Sequence, residues 1–337
     1  MILERFKVPV KDQVFVSEAA LRRTVTQIFE KLGLTPEDAA EGADVLTMTD
    51  LRGVETHGVS NMLRAYVRDY KAGKLDPRPG WRIARESPGT AVIDAERRLG
   101  IMVGPKAMRL AIEKAQRVGV GVVTVFNSGH FGAIGHYAVQ AAEQGMVGVC
   151  FTGAGLSVVP TFAAKPLLGT NPIALAAPAR HEAPMLFDAA TSAIAGNKIR
   201  LAIRVGSPLL PGWVTDKEGI PIMEEKPVFD RDEYHQAPLG GTREQGSHKG
   251  YGFALMAEVL VHRALGRPAH DALGRQPTSA TTRPASSIPD RAGRPSFSKI
   301  CVTVRRSAAS ETNTWSFTGT LKRSRIMARS PLESSSR

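Results

Sequence analysis

The chain has few cysteines, and this excludes a disulfide framework. Two occur in 337 residues, Cys150 at the end of an apolar run and Cys301 in a polar C-terminal region. Small secreted domains that depend on disulfides are rich in cysteine, and cysteine-based metal sites need several cysteines close together. The sequence therefore predicts neither a disulfide framework nor a metal site, and it favours a reducing compartment.

Long apolar runs are also absent. No segment approaches the roughly 18 consecutive apolar residues that a membrane-spanning helix requires. The first seven residues, MILERFK, contain no apolar stretch after their charges of the kind found in secretory signals. We therefore expect a cytoplasmic protein with no membrane partner.

Strong charge of one sign is missing from most of the chain, although the whole sequence carries +12. Residues 268–337 contain 12 basic and 4 acidic side chains, a net of +8, and the preceding 267 residues contain 32 basic and 28 acidic ones, a net of +4. The body therefore gives no electrostatic reason to expect a nucleic-acid partner. A nucleic-acid binder that acts through the basic tail stays an alternative.

The tail also has few residues that could form a core. Of its 70 residues, 27 are Ser, Thr or Pro, and 10 are Leu, Ile, Val or Phe. Such a composition buries too little apolar area to offset the entropy lost on ordering. We therefore expect residues 268–337 to form a disordered or aberrant low-complexity tail without a sustained strand or helix pattern.

The remaining chain predicts an α/β fold. An apolar strand pattern at 118–126 is followed by a glycine-rich loop, a helix from about 135 to 144 and a second strand at 146–151. Further strands are predicted at 90–94, 173–177 and 185–188. Helices are predicted from 104 to 117, from 192 to 205 and from 250 to 265, and a helix capped by Thr35 and begun by Pro36 is expected to end near Asp50.

The glycine-rich loops lack the dinucleotide-binding fingerprint Gly-x-Gly-x-x-Gly. Gly129, Gly132 and Gly135 are spaced by three, and in the run that begins GAGLSV at 153 a valine takes the third glycine position. No acidic residue follows at the distance that the fingerprint requires for a ribose contact. A Rossmann fingerprint is therefore excluded, but the loop at 127–135 can still approach a ligand closely.

Several short motifs occur together in one order: DLRG at 50–53, THG at 56–58, NSGHFGA at 127–133, GTNP at 169–172, DAATS at 188–192, GW at 212–213 with Asp216, Gly219 and Pro221, PLGG at 238–241, and KGYG at 249–252. In this order they resemble the malate/L-lactate dehydrogenase family over about residues 17–266. The resemblance implies a non-Rossmann, NAD- or NADP-dependent oxidoreductase that acts on a small 2-oxo or 2-hydroxy acid as a homodimer.

The resemblance also implies roles for individual residues. His57 would be the catalytic acid/base, because a histidine that titrates near neutrality suits transfer of a hydroxyl proton, and Thr56 and Asp188 would join it. Without the resemblance, His57 reads more readily as a capping residue of its loop. The substrate would be bound by Thr170 together with Arg64 or Asn61. The cofactor would be lined by His130, Phe131, Gly132, Ala133, Ile134, Ala189, Ala190, His248 and Lys249.

One position departs from the family pattern. The family usually places an arginine four residues after the acid/base histidine, where it holds the substrate carboxylate, and this chain has Asn61 there. Arg64 or Arg52 is a candidate replacement. Because the tail also lacks the family's last segment, an impaired family member that only binds its ligands stays an alternative.

The motifs suggest a division into two units and a tail. Residues 1–114 with 236–267 are expected to form a helical substrate and dimerisation unit. Residues 115–235 are expected to form an NAD(P)-binding α/β unit, and residues 268–337 form the tail.

Overall fold

The computed structural model describes residue 6 and residues 10–78, 80–227, 233–264 and 299–306. These residues belong to one compact unit, Met1–Ser307. A short 3-10 helix, Val10–Asp12, precedes the first α-helix. The α-helices of the described residues are α1 Glu18–Lys31, α2 Pro36–Leu51, α3 Val59–Lys71, α4 Gly100–Val118, α5 Gly135–Ala142, α6 Gly196–Val205 and α7 Ser247–Ala264.

The strands complete an α/β fold, as the sequence predicts. They are β1 Arg82–Glu86, β2 Thr90–Asp94, β3 Val120–Phe126, β4 Met146–Gly153, β5 Ile173–Ala177, β6 Met185–Ala189, β7 Val214–Thr215, β8 His235–Gln236 and β9 Lys299–Arg306. Seven of them form one sheet in the order β1-β2-β3-β9-β4-β5-β6, and β7 pairs with β8 in a small second sheet.

Helix starts follow local chemistry where capping is clear. The Thr35 hydroxyl accepts a hydrogen bond from the Asp38 N–H at 3.2 Å, and Pro36 is the first residue of α2, which confirms the predicted start. In α3, Met62, Tyr66 and Tyr70 are buried at a spacing of four residues, so this helix turns one face to the core. That face determines which α3 side chains reach the sheet.

Helices α4 and α5 approach the sheet closely through glycines on the strands. A Cβ on Gly121 of β3 would overlap the carbonyl oxygen of Ala111 in α4, and a Cβ on Gly148 of β4 would overlap that of Ala138 in α5. The helices therefore pack on strand backbone. The loop between β3 and α5 begins at the other end of β3, after Phe126, and it carries the predicted glycine-rich site.

The tail prediction is wrong for residues 299–306. They form β9, which lies between β3 and β4 and is antiparallel to both. Ile300, Val302 and Val304 alternate with more polar residues, a two-residue period typical of a strand. The prediction used the average composition of the 70-residue tail, and this average does not show the pattern of eight residues within it. The other tail residues lie outside the described part of the chain.

Three helix starts also differ from prediction, and the first is that of α7, which begins at Ser247 instead of 250. Helix α4 begins at Gly100, four residues before the predicted start. Ile101, Met102 and Val103 are buried, and they add a turn on the N-terminal side of Pro105, where the helix was expected to begin. Helix α6 begins at Gly196 instead of 192. The predicted boundary between the helical unit and the NAD(P)-binding unit, at residue 114, falls within α4. Strands β1 and β2, which were assigned to the helical unit, belong to the main sheet. The division into two functional units stays a prediction.

Within the described residues, no helix is long and apolar enough to cross a membrane.

Candidate active site

His57 lies in the turn between α2 and α3. The Asp50 carboxylate near the end of α2 accepts a hydrogen bond from the Val59 N–H at 2.9 Å, which ties the last turn of one helix to the first turn of the next. Gly58 passes directly over this carboxylate, and a Cβ there would overlap it. The DLRG and THG motifs are therefore parts of one turn whose function is to hold His57.

A second histidine stacks on the first. The rings of His57 and His130 are nearly parallel, with centroids 5.5 Å apart and an interplanar angle of 14°. His57 Nδ1 lies 2.8 Å from the hydroxyl oxygen of Thr56. His130 belongs to the loop after β3, so the fold brings together two motifs that are 73 residues apart in sequence.

His130 has two hydrogen-bond donors at one ring nitrogen. The Tyr66 hydroxyl oxygen is 2.7 Å from His130 Nδ1, and the Gly132 N–H donates to the same nitrogen at 3.1 Å. An amide N–H can only donate, so Nδ1 must keep its lone pair. The neutral ring of His130 therefore carries its proton on Nε2.

Burial keeps both rings neutral. It lowers the pKa of His57 from 6.5 to about 4. It also lowers the pKa of His130 to about 3, and the nearby His57 and Arg200 add to this second effect. Burial disfavours the charged form of a base, and a neighbouring positive charge does the same. At neutral pH the site presents two uncharged imidazoles.

Asp188 lies at the start of α5. Its carboxylate accepts a hydrogen bond from the Gly135 N–H at 2.7 Å. Although the residue as a whole is exposed, the protein around this carboxylate raises its pKa to about 6, and the Gly135 hydrogen bond and the charge of Arg52 oppose the rise. Asp188 ends β6, and the small residues Ala189 and Ala190 follow it.

The predicted substrate residues Asn61, Thr170 and Arg64 lie in three different environments. The Asn61 amide donates to the carbonyl oxygens of Thr56 at 2.8 Å and Asn197 at 3.4 Å, so it braces the turn that carries His57. The Thr170 carbonyl accepts hydrogen bonds from the backbone and hydroxyl of Thr191, at 2.9 and 3.1 Å. Arg64 lies exposed on α3.

The remaining predicted cofactor residues fall in two places. Phe131, Gly132, Ala133 and Ile134 continue the loop from His130, and Gly132 has a positive φ of 62° that favours glycine. His248 and Lys249 are exposed on the first turn of α7, where His248 Nδ1 lies 3.1 Å from an Arg243 nitrogen. The structure therefore joins the loop to Asp188 and to His57, and it places a small basic group at α7.

Tyr66 and Arg200 were not predicted as site residues. A buried tyrosine needs a partner for its hydroxyl, and this offered a signal for Tyr66. Arg200 had no signal in the sequence, because its place depends on the packing of α6.

Among the described residues, no group of three His, Cys, Asp or Glu side chains could hold a metal ion.

Comparisons with known proteins identify the family of the chain. A family model described as malate/L-lactate dehydrogenase matches residues 16–288, which extends past the predicted tail boundary at 267. Malate dehydrogenase from Pyrococcus abyssi is 43% identical over 237 residues, which cover 70% of this chain and 64% of that protein. L-sulfolactate dehydrogenase from Methanocaldococcus jannaschii is 38% identical over 239 residues, 71% of this chain and 66% of its own.

The fold is similar to solved structures as well. Malate dehydrogenase from Pyrococcus horikoshii OT3 superposes with a TM-score of 0.71 at 33% identity, covering 87% of this chain and 76% of that one. The aligned part spans less than two thirds of the length of the curated relatives named above. The family match covers residues 16–288, most of the sequence. The chain therefore belongs to the malate/L-lactate dehydrogenase family.

Proposed function

We propose that this protein is an NAD- or NADP-dependent oxidoreductase that interconverts a small 2-hydroxy acid and the corresponding 2-oxo acid. Family membership supports the reaction class, and relatives named for malate and sulfolactate support the substrate class. The observation that carries the proposal is the stacked pair His57–His130, whose two rings have unequal hydrogen-bond partners. Because their hydrogen-bond partners differ, we assign different roles to the two histidines.

His57 is the acid/base of the proposed reaction. Its Nδ1 faces the Thr56 hydroxyl, which can rotate to donate or to accept, so the ring can gain or lose a proton without losing this partner. His130 lacks this freedom, because a proton on its Nδ1 would face the Gly132 N–H. His57 therefore takes the substrate hydroxyl proton on oxidation and returns it on reduction, while His130 stays neutral.

The residues around the loop fit a nicotinamide cofactor. A Cβ on Gly135 would lie 2.7 Å from Asp188 Oδ2, so the backbone leaves no room for a side chain there. The small residues Ala133, Ala189 and Ala190 are only partly buried and leave backbone groups accessible to a flat amide. Residues 130–134 and 188–190 would hold the nicotinamide end. When bound, this group supplies the hydride chemistry, and the protein residues manage the proton.

The same contact supports a non-Rossmann mode of binding. In Rossmann folds the cofactor pyrophosphate binds the first N–H groups of a helix. Here the first N–H of α5, that of Gly135, donates to Asp188. The negative charge at this helix start comes from the protein itself. The exposed cluster of Arg243, His248 and Lys249 at α7 offers an alternative place for cofactor phosphates.

A homodimer remains part of the proposal. Phe253, Met256 and Leu260 of α7 are 49, 42 and 41% exposed and lie on one helical face, at a spacing of three and four residues. An exposed apolar stripe of this kind is typical of a surface covered by a partner. The cytoplasmic location and the roles of Thr170, Asn61 and Arg64 in substrate binding stay predictions.

The test is an assay of NADH and NADPH oxidation by purified, folded protein with pyruvate, oxaloacetate, sulfopyruvate and a cyclic imine carboxylate. We expect turnover with at least one of these acids. His57→Ala should lower kcat by about 10² to 10⁴, the usual contribution of a positioned acid/base. His130→Asn should lower it less. Cofactor binding without turnover across the panel would instead support the ligand-binding alternative, and unchanged turnover by His57→Ala would exclude its assigned role.

A further inference from the structure

Helix α6 presents one face to the start of α3. The Asn197 carbonyl accepts a hydrogen bond from the Asn61 amide, and the Asn197 side chain contacts the Met62 sulfur at 3.1 Å. Two turns later, the Arg204 guanidinium donates to the Ser60 carbonyl at 3.1 Å. Both contacts involve the first turn of α3, which directly follows the His57 turn.

Arg200 lies between these two contacts on the same face. Successive residues of an α-helix are rotated by about 100°, so positions 197, 200 and 204 fall within roughly 60° of one another. The side chain of Arg200 therefore extends from the face of α6 that covers the start of α3. Its positive charge is close enough to disfavour protonation of His130, in agreement with this placement.

Arg200 differs from many other arginines of this protein in its partners. Arg22, Arg78, Arg82, Arg98 and Arg109 each form an ion pair with an acidic side chain. In the part of the chain that the structure describes, no acidic side chain lies within 4.0 Å of Arg200. A cation on the helix face that packs against the start of α3, without a protein carboxylate, is suited to an anion that arrives with the substrate.

We propose that Arg200 binds the carboxylate of the substrate acid and so selects 2-oxo and 2-hydroxy acids over neutral carbonyl compounds. This assignment rests on the proposed function. The planar guanidinium offers two parallel N–H donors that match the two oxygens of a carboxylate. The substrate would then lie with its carboxylate at α6 and its reacting oxygen at His57.

Two other arginines are less suitable. The charge of Arg52 acts on Asp188 and His136, so it lies toward the Asp188 and α5 part of the site. Arg64 is exposed, as Arg200 is, but it lies one turn beyond Asn61 on α3 and does not contribute to the lowered pKa of either stacked histidine. Arg200 differs from both arginines because the Asn197 and Arg204 contacts hold its helix face against the start of α3, which follows the His57 turn.

The test compares Arg200→Gln with Arg117→Gln, which removes an exposed charge at the end of α4. Each variant is assayed with pyruvate and with pyruvamide, which replaces the carboxylate by a neutral amide of similar size. Arg200→Gln is expected to raise KM for pyruvate about ten- to a hundredfold, the effect of losing a hydrogen bond to a charged group. It should change kcat less, and it should remove most of the preference for pyruvate over pyruvamide. Arg117→Gln should change both KM values less than about threefold.

A binding measurement distinguishes failure of the Arg200 assignment from failure of the proposed function. Oxamate, an unreactive analogue with the same carboxylate, is titrated in the presence of NADH. If wild-type protein binds oxamate and Arg200→Gln binds it equally well, the assignment of Arg200 is wrong while the proposed function stands. The same conclusion follows if Arg64→Gln, and not Arg200→Gln, removes the preference for pyruvate. If folded wild-type protein neither binds oxamate nor turns over any acid, the proposed function is wrong and this assignment falls with it.

Discussion

Replacement of Gly58 by alanine should destabilise the turn that carries His57, through one identifiable contact. The Gly58 backbone, with φ −83° and ψ −171°, is open to any residue, so an alanine would suffer no backbone strain. Its Cβ would, however, overlap the Asp50 carboxylate. The carboxylate would have to rotate away and lose its hydrogen bond from the Val59 N–H. A hydrogen bond to a charged group contributes about 1.5–3 kcal/mol, so we expect a loss of about 2 kcal/mol.

A double-mutant cycle tests this reasoning. Asp50→Ala removes the same hydrogen bond and should also cost about 2 kcal/mol. In the double variant the new methyl group meets no carboxylate, so the combined cost should be near 2–3 kcal/mol and not the sum of about 4. Urea unfolding of the four proteins measures these values. Gly155→Ala is the matched control, because nothing lies within 4 Å of a Cβ there. Additive costs, or a Gly58→Ala variant as stable as the control, would refute the argument.

Three further predictions concern the histidines and β9. Burial lowers the pKa values of His57, His130 and His136 below 6.5, so their contribution to stability is complete above pH 6.5. As the pH falls toward 4 the unfolded chain takes up protons that the folded one excludes, and the free energy of unfolding should drop by at most about 4 kcal/mol per pH unit. The raised pKa of Asp188 opposes part of this drop, because the folded protein takes up a proton there first. A free energy of unfolding in urea that is the same at pH 7 and pH 5 would contradict the burial of the rings. Tyr66→Phe removes one of the two donors at His130 Nδ1, so kcat/KM should fall about tenfold. The Gly132 N–H remains, so ¹⁵N NMR should still show the single Nε2–H tautomer; an unchanged kcat/KM would show that Tyr66 does not position the ring. A chain ended after residue 266 lacks β9 and should aggregate or unfold without a cooperative transition, whereas a chain ended after Ser307 keeps every described strand; equal thermal melting of the two would show that β9 is dispensable.

The parts of the site that depend on local sequence could be predicted. Thr35 and Pro36 begin α2 as expected, because capping is decided by residues within one turn. The order of the motifs gave the family, and through the family a role for His57. The motif residues His57 and His130 could also be named, but their stacking could not, since it depends on how α3 packs beside the loop after β3.

The parts that depend on distant packing could not be predicted. Arg200 lies on the face of α6 that Asn197 and Arg204 attach to the start of α3, and nothing near Arg200 in the sequence indicates that contact. Strand β9 was missed for a different reason. Its alternating pattern is only eight residues long, and the surrounding polar composition outweighed it.

The position of β9 has a consequence for how the protein folds. Its partners β3 and β4 precede it by about 150 to 180 residues, so its pairing has a very large sequence separation. Strands β1, β2 and β3 can pair early, as can β4, β5 and β6, but each group keeps an unpaired inner edge until residues 299–306 have been synthesised. Unpaired edges promote association with other chains, and pairings at long separation form slowly. Folding on the ribosome should therefore pass through a stage with two open half-sheets, in which the chain is most dependent on chaperones.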